Sequence, residues 1–191
     1  MSFLSKKYEK GLSLIEASMV LALSAIVISG VMFYYQSASD SNKTQNTISE
    51  LMSTVAAING LYVGQSNYAG LATKVLASSS AIPGSYKSGD FINNPFGGSV
   101  EITPVNGNTA YTIALTGIPQ SACLNIASMN LGTSLKGVVV GTVKDGALST
   151  APVEAPATGT EYQTGVLYKL ITPAGASAMC TDKSIITFLM Q

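Results

Sequence analysis

The residues of this 191-residue sequence that best suggest chemistry lie near the N-terminus, where Gly11 precedes an apolar stretch and Glu16 follows five positions later. Glycine has no side chain, so an extended backbone at Gly11 can enter a narrow cleft without a clash. A carboxylate in an apolar helix costs about 2.5 to 3.5 kcal/mol at the centre of a membrane. The face of a helix that would carry Glu16 holds no basic residue as far as Gly30. We therefore expect its partner to come from outside this helix.

Cys123 and Cys180 are the two cysteines of the chain and form a second candidate pair. If the C-terminal part of the chain is exported, it meets an oxidising compartment, where two cysteines favour one disulfide. Two buried free thiols are the alternative.

The sequence contains few other residues that could serve catalysis or bind a ligand. Histidine is absent, which removes the commonest general base and neutral metal ligand. The serine and lysine of Ser134-Leu135-Lys136 match no catalytic motif, and two polar side chains exposed to solvent are the better explanation. Charged residues make up 10% of the chain with a formal net charge of zero, which argues against nucleic-acid binding. We predict a protein that is not an enzyme and has no cofactor or metal.

The apolar stretch itself, residues 17–35, carries no charge and is long enough to span a bilayer. Lys6, Lys7 and Lys10 precede it and favour a cytoplasmic N-terminus with export of the remainder. An ordinary secretory signal cut near Ser37-Ala38-Ser39 is an alternative, but this stretch exceeds the length of a signal core and the acidic Glu16 stands immediately before it. A single-span anchor, with Glu16 near the headgroups, is another.

A long N-terminal helix must carry Glu16 and the apolar stretch. No proline occurs before Pro83, so a helix can run from Leu12 to about Asn59, where Asn59-Gly60 provides a stop signal. Its second half carries apolar residues at steps of three or four, which indicate an amphipathic helix. They are Ile48, Leu51, Met52, Val55 and Ile58.

Residues 61–191 are sufficient for one small α+β domain. A short helix with Pro119 in its first turn is expected. Strands are predicted from β-branched and aromatic runs at 99–103, 110–115, 137–143, 165–172 and 184–190. Loops are expected at 78–80, 97–98, 106–108 and 147–159. The predicted fold is an antiparallel sheet packed on the long N-terminal helix.

The segment Lys10-Gly11-Leu12-Ser13-Leu14-Ile15-Glu16 resembles the type IV prepilin signature. The resemblance implies that prepilin peptidase cuts after Gly11 and methylates Leu12, and that Glu16 attracts the Leu12 amine of a neighbouring subunit. The likeness to type IVb pilins, particularly the bundle-forming and longus-like pilins of enteric bacteria, covers about the first 70 residues and further stretches including NPFGG and MNLGTSLKG. Pilins also characteristically have a disulfide that cross-links a C-terminal region.

The resemblance implies the following organisation: a leader at 1–11, a membrane and filament-core helix at 12–35, its amphipathic continuation at 36–60, and an exported domain at 61–191. The expected function is that of a major pilus subunit, stored in the inner membrane and polymerised by inner-membrane machinery into an extracellular filament for adhesion and aggregation. Identical subunits, host-cell surfaces and neighbouring pili are the implied partners. The alternatives are a pseudopilin of a type II secretion system, a minor or conjugative pilin, and an uncleaved membrane-anchored binding protein.

Overall fold

The computed structural model describes residues 13–144, 146–156 and 161–191. In chain order the elements are α1 (Leu14–Leu61), α2 (Thr73–Ala77), β1 (Lys87–Ser88), β2 (Phe91–Asn93), β3 (Ser99–Val105), β4 (Ala110–Ile118), α3 (Gln120–Ala127), β5 (Leu135–Val140), α4 (Pro173–Met179) and β6 (Ser184–Met190), with short 3-10 turns at Gly84–Tyr86 and Ala147–Ser149. The chain divides into two compact units, a first unit Met1–Ser39 and a second unit Asp40–Gln191. Helix α1 contributes residues to both.

In the most apolar part of α1, serine hydroxyls donate hydrogen bonds to backbone carbonyls of the same helix. The Ser24 hydroxyl donates to the Val20 carbonyl at 2.7 Å, and the Ser29 hydroxyl donates to the Ala25 carbonyl at 2.8 Å. Such bonds to the preceding turn let serine remain inside an apolar helix without an unpaired hydroxyl.

The C-terminal end of α1 lies two residues beyond the expected position. The helix passes through Gly60 and ends at Leu61. A single interior glycine costs about 1 kcal/mol relative to alanine, and this is too little to end a helix whose preceding turn buries Ile58. The chain turns instead near Gly64, whose φ of 82° is a left-handed conformation that glycine adopts readily.

The six strands form one antiparallel sheet in the order β1-β2-β3-β4-β6-β5. Ile113 on β4 lies opposite Ile102 on β3 and Phe188 on β6, so three buried side chains share one row across the centre of the sheet. The main core joins this sheet face to the second half of α1 and to helices α3 and α4. A smaller cluster contains Ala110, Val139, Leu167 and Leu189.

Three of the five predicted strands are confirmed closely, since β3 and β4 contain residues 99–103 and 110–115, and β6 spans 184–190. The strand expected at 137–143 starts and ends earlier, as β5, because Gly141 takes a φ of 92°. The strand expected at 165–172 is wrong. There Tyr168 forms isolated bridges to Val138 and Val153 rather than a continuous ladder.

The remaining elements differ in smaller ways from the expectation. Helix α3 begins at Gln120, so Pro119 is its N-cap rather than part of its first turn. The loop expected at 147–159 contains the 3-10 turn Ala147–Ser149, and its residues from 157 onward lie outside the described part of the chain. Helices α2 and α4 and the β1–β2 hairpin were not predicted.

The NPFGG segment forms the tight connection between β2 and β3. The buried Asn94 side chain donates to the Thr116 carbonyl at 2.8 Å and accepts bonds from the backbone N–H groups of Phe96 and Gly98. A Cβ at Gly98 would lie 1.8 Å from the Thr116 oxygen, so a larger residue does not fit there. Lys43 of α1 places its ammonium 5.9 Å from the centre of the Phe96 ring. This turn therefore links the sheet to α1 within the second unit.

Candidate functional site

The N-terminal end of α1 brings Ser13 and Glu16 together. Gly11 and Leu12 lie outside the described residues. The Ser13 N–H donates to the Glu16 carboxylate at 2.9 Å, and the Glu16 N–H donates to the Ser13 hydroxyl at 3.4 Å. This is a capping box, in which a serine and a glutamate three positions later satisfy each other's backbone donors at a helix start.

The capping box gives Glu16 a backbone hydrogen bond that the sequence analysis did not anticipate, and the charged partner expected from outside the helix stays a prediction. The backbone N–H of Ser13 supplies one hydrogen bond, although it supplies no positive charge. The signal was present in the sequence as Ser13-Leu14-Ile15-Glu16, which fits the capping-box pattern. The carboxylate itself is exposed, so it remains accessible to a further donor.

The first unit presents a continuous apolar helical surface. Every side chain from residue 13 to residue 37 is exposed, including Leu21, Ile26 and Phe33. Helix α1 is long and apolar enough to cross a membrane by length and composition. Glu16 is the one charged residue between 13 and 37. An exposed apolar surface of this extent requires lipid or protein against it.

The second half of α1 buries a different set of residues from the one predicted. Leu51 and Ile58 are buried, and Ile48 and Val55 pack partly against the core, as expected. Met52 was expected in the core but is 51% exposed. The buried stripe instead includes four polar residues that the sequence analysis missed, which are Thr44, Thr47, Glu50 and Thr54.

Glu50 is the most costly member of this stripe. Its side chain is 4% exposed, and neither carboxylate oxygen has a hydrogen-bond partner among the described residues. It lies in the second unit, well beyond the predicted membrane span, and burial raises the pKa of its carboxyl from 4.5 to about 7. Ionisation is therefore disfavoured because the charge would lose its hydration without gaining a partner. The Thr54 hydroxyl, one turn later, is also buried without a partner.

The disulfide between Cys123 and Cys180 is confirmed. Cys123 lies in α3, and Cys180 caps the C-terminal end of α4, with their Cα atoms 5.9 Å apart. Both residues are buried in the main core. The bond joins two helices that are separated by 57 positions in the sequence, so it restrains the unfolded chain over a long loop.

Other candidate sites gain no support from the structure. The Ser134 carbonyl accepts a hydrogen bond from the Gln191 N–H at 2.9 Å, while Lys136 is an exposed side chain on β5. Across residues 13–144, 146–156 and 161–191, no group of three histidine, cysteine, aspartate or glutamate side chains could hold a metal ion.

The architecture resembles that of a solved type IV pilin. The crystal structure of TcpA, a type IV pilin from Vibrio cholerae El Tor biotype, aligns with a TM-score of 0.53 and 18% sequence identity, covering 78% of this chain and 99% of that one. A long N-terminal helix with an exposed apolar half, joined to an antiparallel sheet domain, defines the type IV pilin fold.

The sequence comparisons give the family. A family model described as Bundlin matches residues 36–182. The chain is 48% identical to the major structural subunits of bundle-forming pilus from Escherichia coli O111:H- and from Escherichia coli O127:H6 (strain E2348/69 / EPEC), over 98% of this chain and 97% of each relative. The chain belongs to the Bundlin family.

Proposed function

We propose that this chain is the major structural subunit of a type IVb pilus. The observation that carries the proposal is the 48% identity to two major subunits of bundle-forming pili over nearly the whole length of the chain. The exposed apolar half of α1 supports it because a subunit of this kind needs a surface that other copies can cover. Its role is structural, and its product is an extracellular homopolymeric filament.

The proposed maturation begins with the leader, residues 1–11. Prepilin peptidase cuts after Gly11 and methylates the amine of Leu12, which leaves residues 12–35 as the membrane and filament-core helix. Residues 36–60 continue that helix, and residues 61–191 form the exported domain. The apolar composition of residues 17–35 and the basic residues before them support storage in the inner membrane before assembly.

In the proposed assembly step, the Glu16 carboxylate meets the Leu12 amine of a neighbouring subunit. Apolar helix packing is non-directional, so it cannot by itself select one register. A buried charge left alone costs several kcal/mol, so pairing of the carboxylate with the amine sets the register. The capping box supports this role because it holds Glu16 at the N-terminal end of α1, directly after the proposed mature start.

The inner-membrane assembly machinery would draw subunits from the membrane into the filament. Contacts with a host-cell surface and with neighbouring pili would then give adhesion and bacterial aggregation. These roles extend the bundle-forming role named for the relatives.

The experiment compares Glu16→Ala with wild type in cells that carry the assembly machinery. We expect sheared surface fibre to be lost while the Cys123–Cys180 disulfide still forms in the membrane-held subunit. Glu154→Ala is the matched control, since Glu154 is an exposed carboxylate bonded to Lys169 in the second unit. Normal fibre yield from Glu16→Ala would refute the register model.

A further inference from the structure

The part of α1 at residues 40–50 is held on the second unit without a fully buried apolar side chain. Its buried side chains are all polar and are those of Thr44, Thr47 and Glu50. Its one apolar residue, Ile48, packs only partly against the main core. Further along the same helix, Leu51 and Ile58 are buried. The apolar contacts that hold α1 on the second unit are therefore concentrated after residue 50.

The polar side chains of this segment add little attachment to the rest of the second unit. The hydroxyls of Thr44 and Thr47 donate to backbone carbonyls four residues earlier, at 2.7 and 2.9 Å, so both donors are used within the helix. Neither carboxylate oxygen of Glu50 has a hydrogen-bond partner among the described residues. Lys43 is exposed, and its ammonium lies 5.9 Å from the centre of the Phe96 ring, which is a weak contact at an exposed position.

We propose that Glu50 is a pH-sensitive latch, which keeps residues 40–50 of α1 closed on the second unit while its carboxyl is protonated and releases them when it ionises. Proteins open locally where few apolar contacts are buried, and this segment has few. In the released state the carboxylate is hydrated, while Leu51 and Ile58 keep the rest of the helix in place. Release shortens the part of α1 that the second unit holds. The latch goes beyond the proposed function because it acts within one subunit and requires no filament.

The pH range of the release follows from the burial of Glu50. Burial raises the pKa of its carboxyl from 4.5 to about 7, and hydration in the released segment returns the pKa towards 4.5. Below pH 4.5 both states are protonated, so pH does not change their ratio. From pH 4.5 to about 7 the released state loses the proton while the closed state keeps it, so release is increasingly favoured. Between pH 5 and pH 8 the ratio of released to closed protein should rise on the order of 50-fold.

The elements around the main core bring no other charged side chain into it. Glu50 is the only charged residue that is buried among the described residues. Strands β2, β4 and β6 and helices α3 and α4 contain no lysine, arginine, aspartate or glutamate. The charged residues of the other elements are exposed or half-buried, and they are Lys74, Lys87, Glu101 and Lys136. On α1 itself, Asp40 and Lys43 lie at the opposite end of the segment from Glu50.

The other titratable groups of the main core are tyrosines. They are Tyr62, Tyr68, Tyr86, Tyr111, Tyr162 and Tyr168. An ordinary tyrosine is neutral at pH 8, and burial raises the pKa of Tyr111 further. The two cysteines of this core form a disulfide, and the chain has no histidine. Glu50 is therefore the group whose ionisation can open the segment between pH 5 and pH 8.

Hydrogen–deuterium exchange tests the latch on the full chain in detergent micelles, with peptides read by mass spectrometry. Wild type and Glu50→Gln are compared at the same pH, so that the intrinsic exchange rate cancels. Labelling is stopped while peptides from β4 and β6 are still protected, so that only openings short of full unfolding are counted. In peptides from residues 40–50, the ratio of the wild-type rate to the variant rate should be on the order of 50 times larger at pH 8 than at pH 5.

The control is Glu154→Gln, which removes an exposed carboxylate and should exchange as wild type does at both pH values. Wild type alone gives a second measurement, which holds even if Glu50→Gln folds poorly. Its protection in residues 40–50, corrected for the intrinsic rate, should fall between pH 5 and pH 8 by the same factor.

Two results would overturn the latch. One is a rate ratio in residues 40–50 that is the same at pH 5 and pH 8. The other is a segment that stays as protected as β4 and β6 at pH 8, since it would then open only when the whole second unit unfolds.

Discussion

The clearest thermodynamic prediction concerns Glu50, the buried carboxyl on the second half of α1. Burial raises its pKa from 4.5 to about 7, and a difference of about 2.5 units corresponds to about 3 kcal/mol. Below pH 4.5 the carboxyl is protonated in both the folded and the unfolded protein, so it carries no penalty. As the pH rises from 4.5 to about 7, the unfolded state releases the proton while the folded state keeps it. Folding then requires uptake of a proton, so the free energy of unfolding falls.

The perturbation is Glu50→Gln, which keeps the shape of the side chain and removes its ionisation. The free energy of unfolding of the variant minus that of wild type should increase by about 2 to 3 kcal/mol from pH 5 to pH 8. The full chain in detergent micelles is unfolded with guanidinium at each pH and followed by the near-ultraviolet circular dichroism of its nine tyrosines. Subtracting the two proteins at each pH removes the titration of all other groups.

The control is Glu154→Gln, which removes an exposed carboxylate and should show no such slope. If the difference in unfolding free energy between Glu50→Gln and wild type is the same at pH 5 and pH 8, the carboxyl of Glu50 is hydrated or paired in the folded protein. That result would refute the account of the buried stripe on α1.

Three further predictions concern the stability of the second unit and are read from denaturation midpoints of the full chain. Cys180→Ser should cost about 2 to 5 kcal/mol, and wild type under reducing conditions should match it; a stable reduced protein would contradict the role of the disulfide. Asn94→Ala should cost about 1 to 3 kcal/mol because it leaves the half-buried Thr116 carbonyl and two backbone N–H groups without the Asn94 side chain as a partner; an unchanged midpoint would show that water replaces it. Gly98→Ala should destabilise by more than about 1 kcal/mol, since its Cβ would overlap the Thr116 oxygen, whereas Gly84→Ala, where the space is open, should change little; equal effects would rule out the clash.

The sequence predicts those parts of the fold whose signals are local. The uninterrupted apolar run gives the first half of α1, and β-branched alternation gives β3, β4 and β6. The two cysteines, once placed in an exported domain, leave one pairing. Even the capping box of Ser13 and Glu16 is a local signal that a closer reading of the same residues would have found.

The sequence predictions fail where contacts between distant parts of the chain determine the local structure. Residues 165–172 have strand-forming side chains, but Gly165 takes a φ of 77° and the backbone near Tyr168 is bound between two separate segments. The polar stripe on α1 was missed because a hydrophobic pattern cannot reveal a buried glutamate. Helix α2 has five residues and no side-chain cap, so it forms through packing rather than through a sequence signal.

The central claim is that this chain is processed as a prepilin and exported into a fibre. The most direct measurement is mass spectrometry of the N-terminal peptide from sheared cell-surface material. The account predicts a peptide that begins at Leu12 and carries one added methyl group. A chain that retains Met1 to Gly11 and stays in the membrane fraction would contradict it and would favour a membrane-anchored binding protein.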